Sequence, residues 1–299
     1  MESPDNVTNY GSDTSSEERR TPSEPLSTKI HAKFQIARPP PKSSQRLRLS
    51  PKLLLQVQQL PPNHRPVPVL EIWQPPLRKS KLTREFPQRP KLGAKDIYAT
   101  LNEPYMTSDL KQQQGHLKDN TTQSSSDGNA QEKDIVAAMC NSSNNDNPTM
   151  AIHFRHTRCI WQASAGSAGS GQSTSCYRFL IKTERHTTGS EQHRMIMQWE
   201  KRTISTRENG QPGTPENEHF VLVAIDRKAR RKSRIATMNR GGFEITVRKS
   251  SVLEHLRTCL ALMNPVSAGS TDSVDLETWL YTLVLTLGVS VASQERWLG

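Results

Sequence analysis

Residues 275–294 read DLETWLYTLVLTLGVSVASQ, and where this stretch is buried decides the fold. Leu276, Trp279, Leu280, Leu283, Val284, Leu287 and Val291 share one face of a helix, and Tyr281, Leu285, Val289 and Ala292 carry apolar surface around it. The remaining stripe is hydroxyl: Thr278, Thr282, Thr286, Ser290 and Ser293. A helix apolar nearly all round is enclosed by protein or by lipid. Between Glu277 and Glu295 lie 17 uncharged residues, the lower edge of a bilayer span. Several of these are Thr, Ser or Gly, and the flanks are mostly acidic, so the sequence predicts a core helix over 275–294 rather than a tail anchor.

Working outward, that helix needs walls, and the preceding residues supply strands. DIVAAMC (134–140), MAIHF (150–154) and RCIWQA (158–163) come first. CYRFLIK (176–182), HRMIMQWEK (193–201), HFVLVAI (219–225), SRIATM (233–238) and GFEITV (242–247) follow. These are short runs rich in β-branched and aromatic residues, separated by polar turns. VPVLEIW (67–73) and DIYATL (96–101) bring the count to ten. Such a series predicts an antiparallel meander closing on itself. The fold class expected is α+β: an antiparallel β-barrel or strongly curved sheet around a buried C-terminal helix. A further amphipathic helix is expected at 252–263.

The front of the chain reads differently. Sixteen of the 20 prolines precede residue 105, and proline breaks helices and central strands. Only 33% of residues are apolar, too few for two full cores. The expected division is a disordered tail at 1–45, a basic Pro-rich arm at 46–105, a linker at 106–131 and a β-rich domain at 132–299. Within the arm, Ser50-Pro51 before LLLQVQQL gives a helix start signal, and Pro61-Pro62 a stop. A short helix over 51–60 is expected, needing a protein partner or surface to pack on. A strand is expected at 67–73, its prolines favouring an edge.

Charge is concentrated in the same region. Between Lys29 and Lys95 there are 15 Lys or Arg against Glu71 and Glu85, so this stretch exceeds the net +11 of the whole chain. It would attract an anionic lipid head group or nucleic acid. A second concentration, Arg227, Lys228, Arg230, Arg231, Lys232 and Arg234, sits between two strands, where a solvated turn also has to be polar. These six are the candidate anion-binding residues, and the run also reads as a nuclear-import signal. His153, His156 and Cys159 do not make a metal set, since i and i+3 on a strand face opposite ways. No catalytic constellation and no cofactor motif is found. The four cysteines form no CxxC pair, and Met-Glu-Ser-Pro opens no signal peptide, so a cytoplasmic or nuclear protein is expected.

The succession SPKLLLQVQQL, RPVPVLEIW, LGAKDIY, DIVAAMC, MQWEKR, FVLVAIDRKARRKSRIATM and TLVLTLGVSVASQERW resembles a large uncharacterised protein family of filamentous ascomycete fungi. The resemblance covers residue 47 to the end, and it implies no activity, cofactor or catalytic residue. The chain departs from that pattern in its Gly/Ser loop at 164–175 and in 252–263. More loosely, many strands before an apolar helix resemble the tubby-like architecture, a twelve-stranded barrel threaded by a helix. Its membrane-binding members hold phosphoinositides with surface cations. The resulting expectation is a non-enzymatic binding or scaffold protein engaging an anionic partner. The alternative is a membrane-associated protein, through phosphoinositides or through the C-terminal segment as an anchor.

Overall fold

Among the described residues a single helix, α1 (Ser273–Gln294), runs through the centre of the structure. Leu280, Leu283, Val284, Leu285, Leu287, Val289 and Val291 point in several directions around its axis, and none is accessible to solvent. The hydroxyl stripe is enclosed as well. Thr286 and Ser290 are fully buried, Thr282 Oγ1 donates to the Thr278 carbonyl (3.0 Å) and Ser290 Oγ to that of Leu287 (2.7 Å). Returning the Thr282 and Ser290 hydroxyls to the helix's own carbonyls removes the cost of burying those two unpaired, whereas the Thr286 hydroxyl is buried without a partner.

The computed structural model describes residues 29–39, 50–77, 80–107, 135–142, 149–167, 175–183, 195–203, 218–226, 231–248 and 273–298. Twelve of its strands close a barrel around α1. In chain order the strands are β1 (Lys29–Ala37), β2 (Lys52–Gln59), β3 (Val67–Gln74), β4 (Ser80–Lys81), β5 (Lys91–Leu92), β6 (Ile97–Leu101) and β7 (Ile135–Ser142). They continue with β8 (Thr149–Phe154), β9 (Cys159–Ser167), β10 (Ser175–Thr183), β11 (Met195–Thr203), β12 (Glu218–Asp226), β13 (Arg231–Asn239) and β14 (Gly242–Arg248). β6 to β14 form a continuous antiparallel meander, and β3, β2 and β1 complete the circle by pairing β1 with β14. β4 and β5 make a small separate ribbon.

All ten strands expected from composition are present, and the barrel with its enclosed helix is the expected fold. Several readings need correction. The supposed tail at 1–45 contains β1, whose Ile30, Ala32 and Phe34 face inward while Lys29, His31 and Lys33 face water. The prolines at 39–41 follow that strand and do not interrupt it. The helix expected at 51–60 is strand β2 instead: Leu55, Val57 and Gln59 are buried at period two. Buried Gln59 is satisfied by backbone, its Nε2 donating to the Met106 carbonyl (2.8 Å) and its Oε1 accepting from the Met106 amide (2.9 Å). The arm at 46–105 and the domain at 132–299 are therefore one closed unit, since β2, β3 and β6 bridge β1 to β7. The Gly/Ser loop is also shorter than expected, because the β9–β10 ladder runs on to Ser167 and Ser175. Proline in β3 sits not at an edge but at a register shift, where Val57 opposes Leu70 and Gln58 opposes Pro68. The 252–263 segment, and the 106–131 linker beyond Thr107, lie outside the described residues.

Each end of α1 is sealed by its own contacts. Near its start, the Tyr281 hydroxyl donates to buried Glu277, and Phe34, Tyr105 and Tyr281 pack edge to face with centroids 5.4–6.3 Å apart. At its end, Arg296 adopts φ 58°, the Trp297 amide donates to the Ala292 carbonyl and the Arg296 amide to that of Ser293. This is a Schellman cap with arginine at the position glycine usually takes. It folds the Trp297 ring over the barrel mouth against Phe220 (5.5 Å) and under Arg240. Glu295 accepts from the Tyr177 hydroxyl (2.5 Å) and pairs with Lys201 Nζ (3.3 Å), and Arg38 reaches the Trp297 carbonyl (3.1 Å).

Three substitutions test this arrangement by thermal unfolding. Leu283→Ala removes a fully enclosed side chain and should cost ~2–5 kcal/mol, lowering Tm by roughly 5–15 °C for a chain of this size. Gly288→Ala should also destabilise, because a Cβ there would overlap the Phe243 ring. Arg296→Gly should have the opposite sign and raise stability by about 1 kcal/mol, since it relieves a left-handed residue. An unchanged Tm for Leu283→Ala would contradict enclosure of α1.

Candidate anion-binding groove

The connection from β3 to β6, residues 75–96, does not take the short route. It climbs the outer wall of the barrel as a strap. Leu82, Phe86 and Leu92 bury themselves against Tyr98, Ile135 and Ala138, giving the wall a second apolar cluster outside the main core. Polar anchors fix the strap at both ends. Asp96, itself buried, accepts from the Gly93 amide (2.5 Å) and the Asn141 amide (2.9 Å). At the other end the Glu85 carbonyl accepts from the His156 amide (2.8 Å), and Glu85 Oε2 accepts from Arg155 Nε (2.5 Å) in the β8–β9 turn. That pairing holds the Glu85 carboxyl below its ordinary value.

His153 lies beneath the strap, 4% exposed, with Nδ1 3.1 Å from the Pro87 carbonyl. A carbonyl only accepts, so Nδ1 carries the proton and the ring is held in that tautomer. Cys140 lies on the same outer face, two residues along from Ala138, the cross-strand partner of His153. Burial, reinforced by the charge of Asp96, pushes its thiol up to about 12. With the thiol protonated and Nδ1 already bonded, this pair is not an activated nucleophile. Cys159 belongs to the barrel core and His156 is exposed, so these two and His153 face different surroundings.

Between the strap and the β8–β9 turn lies an open groove of about 440 Å³. Lys81, Arg84 and Arg89 line it from the strap and Arg158 from the turn, over Phe86 and Pro87. All four cations are exposed, and among the described residues none of them forms an ion pair. The one lining carboxylate, Glu85, is taken by Arg155. Gln88 (φ 59°) and Arg89 (φ 42°) are both left-handed, the first at the third position of a turn closed by the Arg89 amide and the Phe86 carbonyl (3.3 Å). Two successive strained residues cost on the order of 1–3 kcal/mol each, and such strain collects at functional sites.

Of the six residues expected to bind anions, the three that the structure describes lie elsewhere. Arg227, Lys228 and Arg230 lie outside the described residues. Arg231, Lys232 and Arg234 stand exposed on β13, but Lys232 pairs with Glu200 (3.3 Å), and Arg234 contributes to lowering the Glu244 carboxyl, chiefly held down by His31. They share an end of the barrel with the groove and stand about four strands away, roughly 20 Å around the rim. Of the cations that do converge, Lys81, Arg84 and Arg89 were signalled in the sequence by the excess of charge between Lys29 and Lys95, and Arg158 by nothing.

Strap docking should weaken in acid. Burial, the largest influence, pulls the His153 pKa below its ordinary value, and the Pro87 bond and Asp96 oppose this only in part. The unfolded chain then binds the proton more readily. The contribution of His153 is fully present above about pH 6.5 and is lost as pH falls through the lower folded value. Between about pH 7.5 and about pH 5.5, His153→Phe should show a smaller drop in Tm than the parent, although it starts lower. Equal drops would remove His153 as the cause.

Compared with protein-family models, with curated proteins and with solved structures, the chain matches none.

Proposed function

We propose that this chain is a non-enzymatic binding or scaffold protein of the cytosol or nucleus that holds an anionic partner in the groove beside the strap. The observation that carries this reading is the convergence of Lys81, Arg84, Arg89 and Arg158, none ion-paired among the described residues, around a carboxylate that is already neutralised. Positioned cations that are not self-neutralised create a local positive field, and the strap holds them in place before any partner arrives. The barrel architecture supports an outer-wall site. Its interior is occupied by α1, and among the described residues the closed barrel itself has no free strand edge for β-augmentation.

A second reading, membrane association through phosphoinositides, is supported by the exposure of the same groove. The tubby-like resemblance of the sequence adds to this reading only as an analogy of fold rather than of site.

The test compares the full chain with Arg84→Glu/Arg158→Glu on phosphatidylserine vesicles and on a generic DNA duplex, from about 50 mM to about 200 mM salt. The double variant should keep its Tm, since both side chains are exposed, and bind whichever polyanion the parent binds at least tenfold more weakly. On duplex DNA its salt slope should be shallower by about 2, at ~0.9 for each phosphate that is no longer neutralised. Unchanged binding by a folded double variant would remove the groove as the site.

A further inference from the structure

We propose that the groove takes a diphosphate: two phosphate groups held close together on one ligand. The inference rests on the anion-binding reading and specifies its chemistry. Four cations and one carboxylate line the groove, and Arg155 cancels the carboxylate from outside. A single phosphate monoester carries about −1.5 to −2 at neutral pH and leaves roughly half of those cations uncompensated. Two phosphates carry about −3 to −4 and match them.

Geometry favours the same class. Three of the four cations are arginines, whose planar forks pair bidentately with phosphate oxygens, whereas a lysine acts as a point charge. They come from opposing walls, Arg84 and Arg89 on the strap and Arg158 on the β8–β9 turn, so a ligand between them is gripped from two sides. The backbone bond from His156 to Glu85 and the Arg155–Glu85 pair tie those walls together. An open groove of about 440 Å³ is on the scale of small-ligand sites and offers room for a compact anion between its walls. Free diphosphates and doubly phosphorylated lipid head groups both present this chemistry.

Isothermal titration of the full chain with inorganic pyrophosphate, inorganic phosphate and sulfate, at matched ionic strength, tests the inference. Pyrophosphate should bind at least tenfold more tightly than either of the others, a difference of about 1.4 kcal/mol or more. Arg84→Gln and Arg158→Gln should each weaken it at least tenfold without moving the Tm of the free protein, whereas Arg231→Gln on β13 should change nothing. Sedimentation with phosphatidylcholine vesicles carrying a bisphosphorylated inositol lipid separates the two sources. Pelleting that pyrophosphate reverses assigns the site to a lipid head group; pyrophosphate binding without pelleting assigns it to a soluble ligand. Equal affinity for pyrophosphate, phosphate and sulfate, still abolished in the arginine variants, would overturn the diphosphate inference and leave the anion-binding reading standing. Pyrophosphate affinity unchanged in both arginine variants would overturn both.

Discussion

A barrel of about eight strands has an interior that inward side chains can fill, and a wider one leaves a space that must be occupied or wet. With twelve strands this barrel is in the second category, and α1 is what occupies the space. Every other feature of the core follows from that requirement. The helix has no polar face because each direction around it meets a wall. The Thr282 and Ser290 hydroxyls bond back to its own carbonyls, while the buried Thr286 hydroxyl is left without a partner. Gly288 lacks a side chain because the Phe243 ring already fills the place. The walls depend on the helix in turn, since large side chains such as Trp161, Trp199 and Phe179 are fully buried between strands and helix. Neither sheet nor helix has a stable partner surface without the other.

The two ends of the helix are treated differently, and the difference assigns their roles. The exit end is closed by a cap, a tryptophan and a paired cluster in which Lys201 bridges Glu218 and Glu295. The charges of that cluster are paired with one another, and Arg38 and Arg240 are taken up by the Trp297 carbonyl and ring. At the entry end of the barrel, the β8–β9 turn and the upper strap present arginines that remain unpaired among the described residues. Charge that is cancelled stabilises the fold only modestly. Charge left uncancelled on a rigid frame is available to something else, and this asymmetry is why the site is read at one end of the barrel and not the other.

Much of this was legible in the residues themselves. The meander from β6 onward announces itself through β-branched and aromatic runs, and the helix through apolarity too long and too complete for a strand. The strands β1 and β2 were hidden for physical reasons. KIHAKFQI alternates cleanly, but it lies in a stretch whose prolines and charge suggest disorder. In LLLQVQQ, the buried Gln59 breaks the binary pattern, and only the distant Met106 backbone makes its burial tolerable. The groove was hidden more deeply. Its cations come from 81–89 and from 158, and nothing local joins them; Leu82 and Phe86 do so by burying themselves on β6 and β7. The run at 227–234 was conspicuous because it is contiguous, yet among its described members Lys232 is paired with Glu200 and Arg234 acts on Glu244.

The pairing of β1 with β14 has a consequence for how the protein is made. Lys29 finds its partner in Arg248, so the first of the described strands to leave the ribosome waits for the last of them. Until then the sheet is an open curved ribbon with two bare edges, its inner apolar face uncovered. The helix that fills it is translated later still. At typical synthesis rates of about 5–20 residues per second, that interval lasts many seconds. Closure of so long a loop makes the topology one of high contact order and slow folding. The same joint that leaves the mature barrel without a free edge therefore makes the nascent chain a natural client for chaperones.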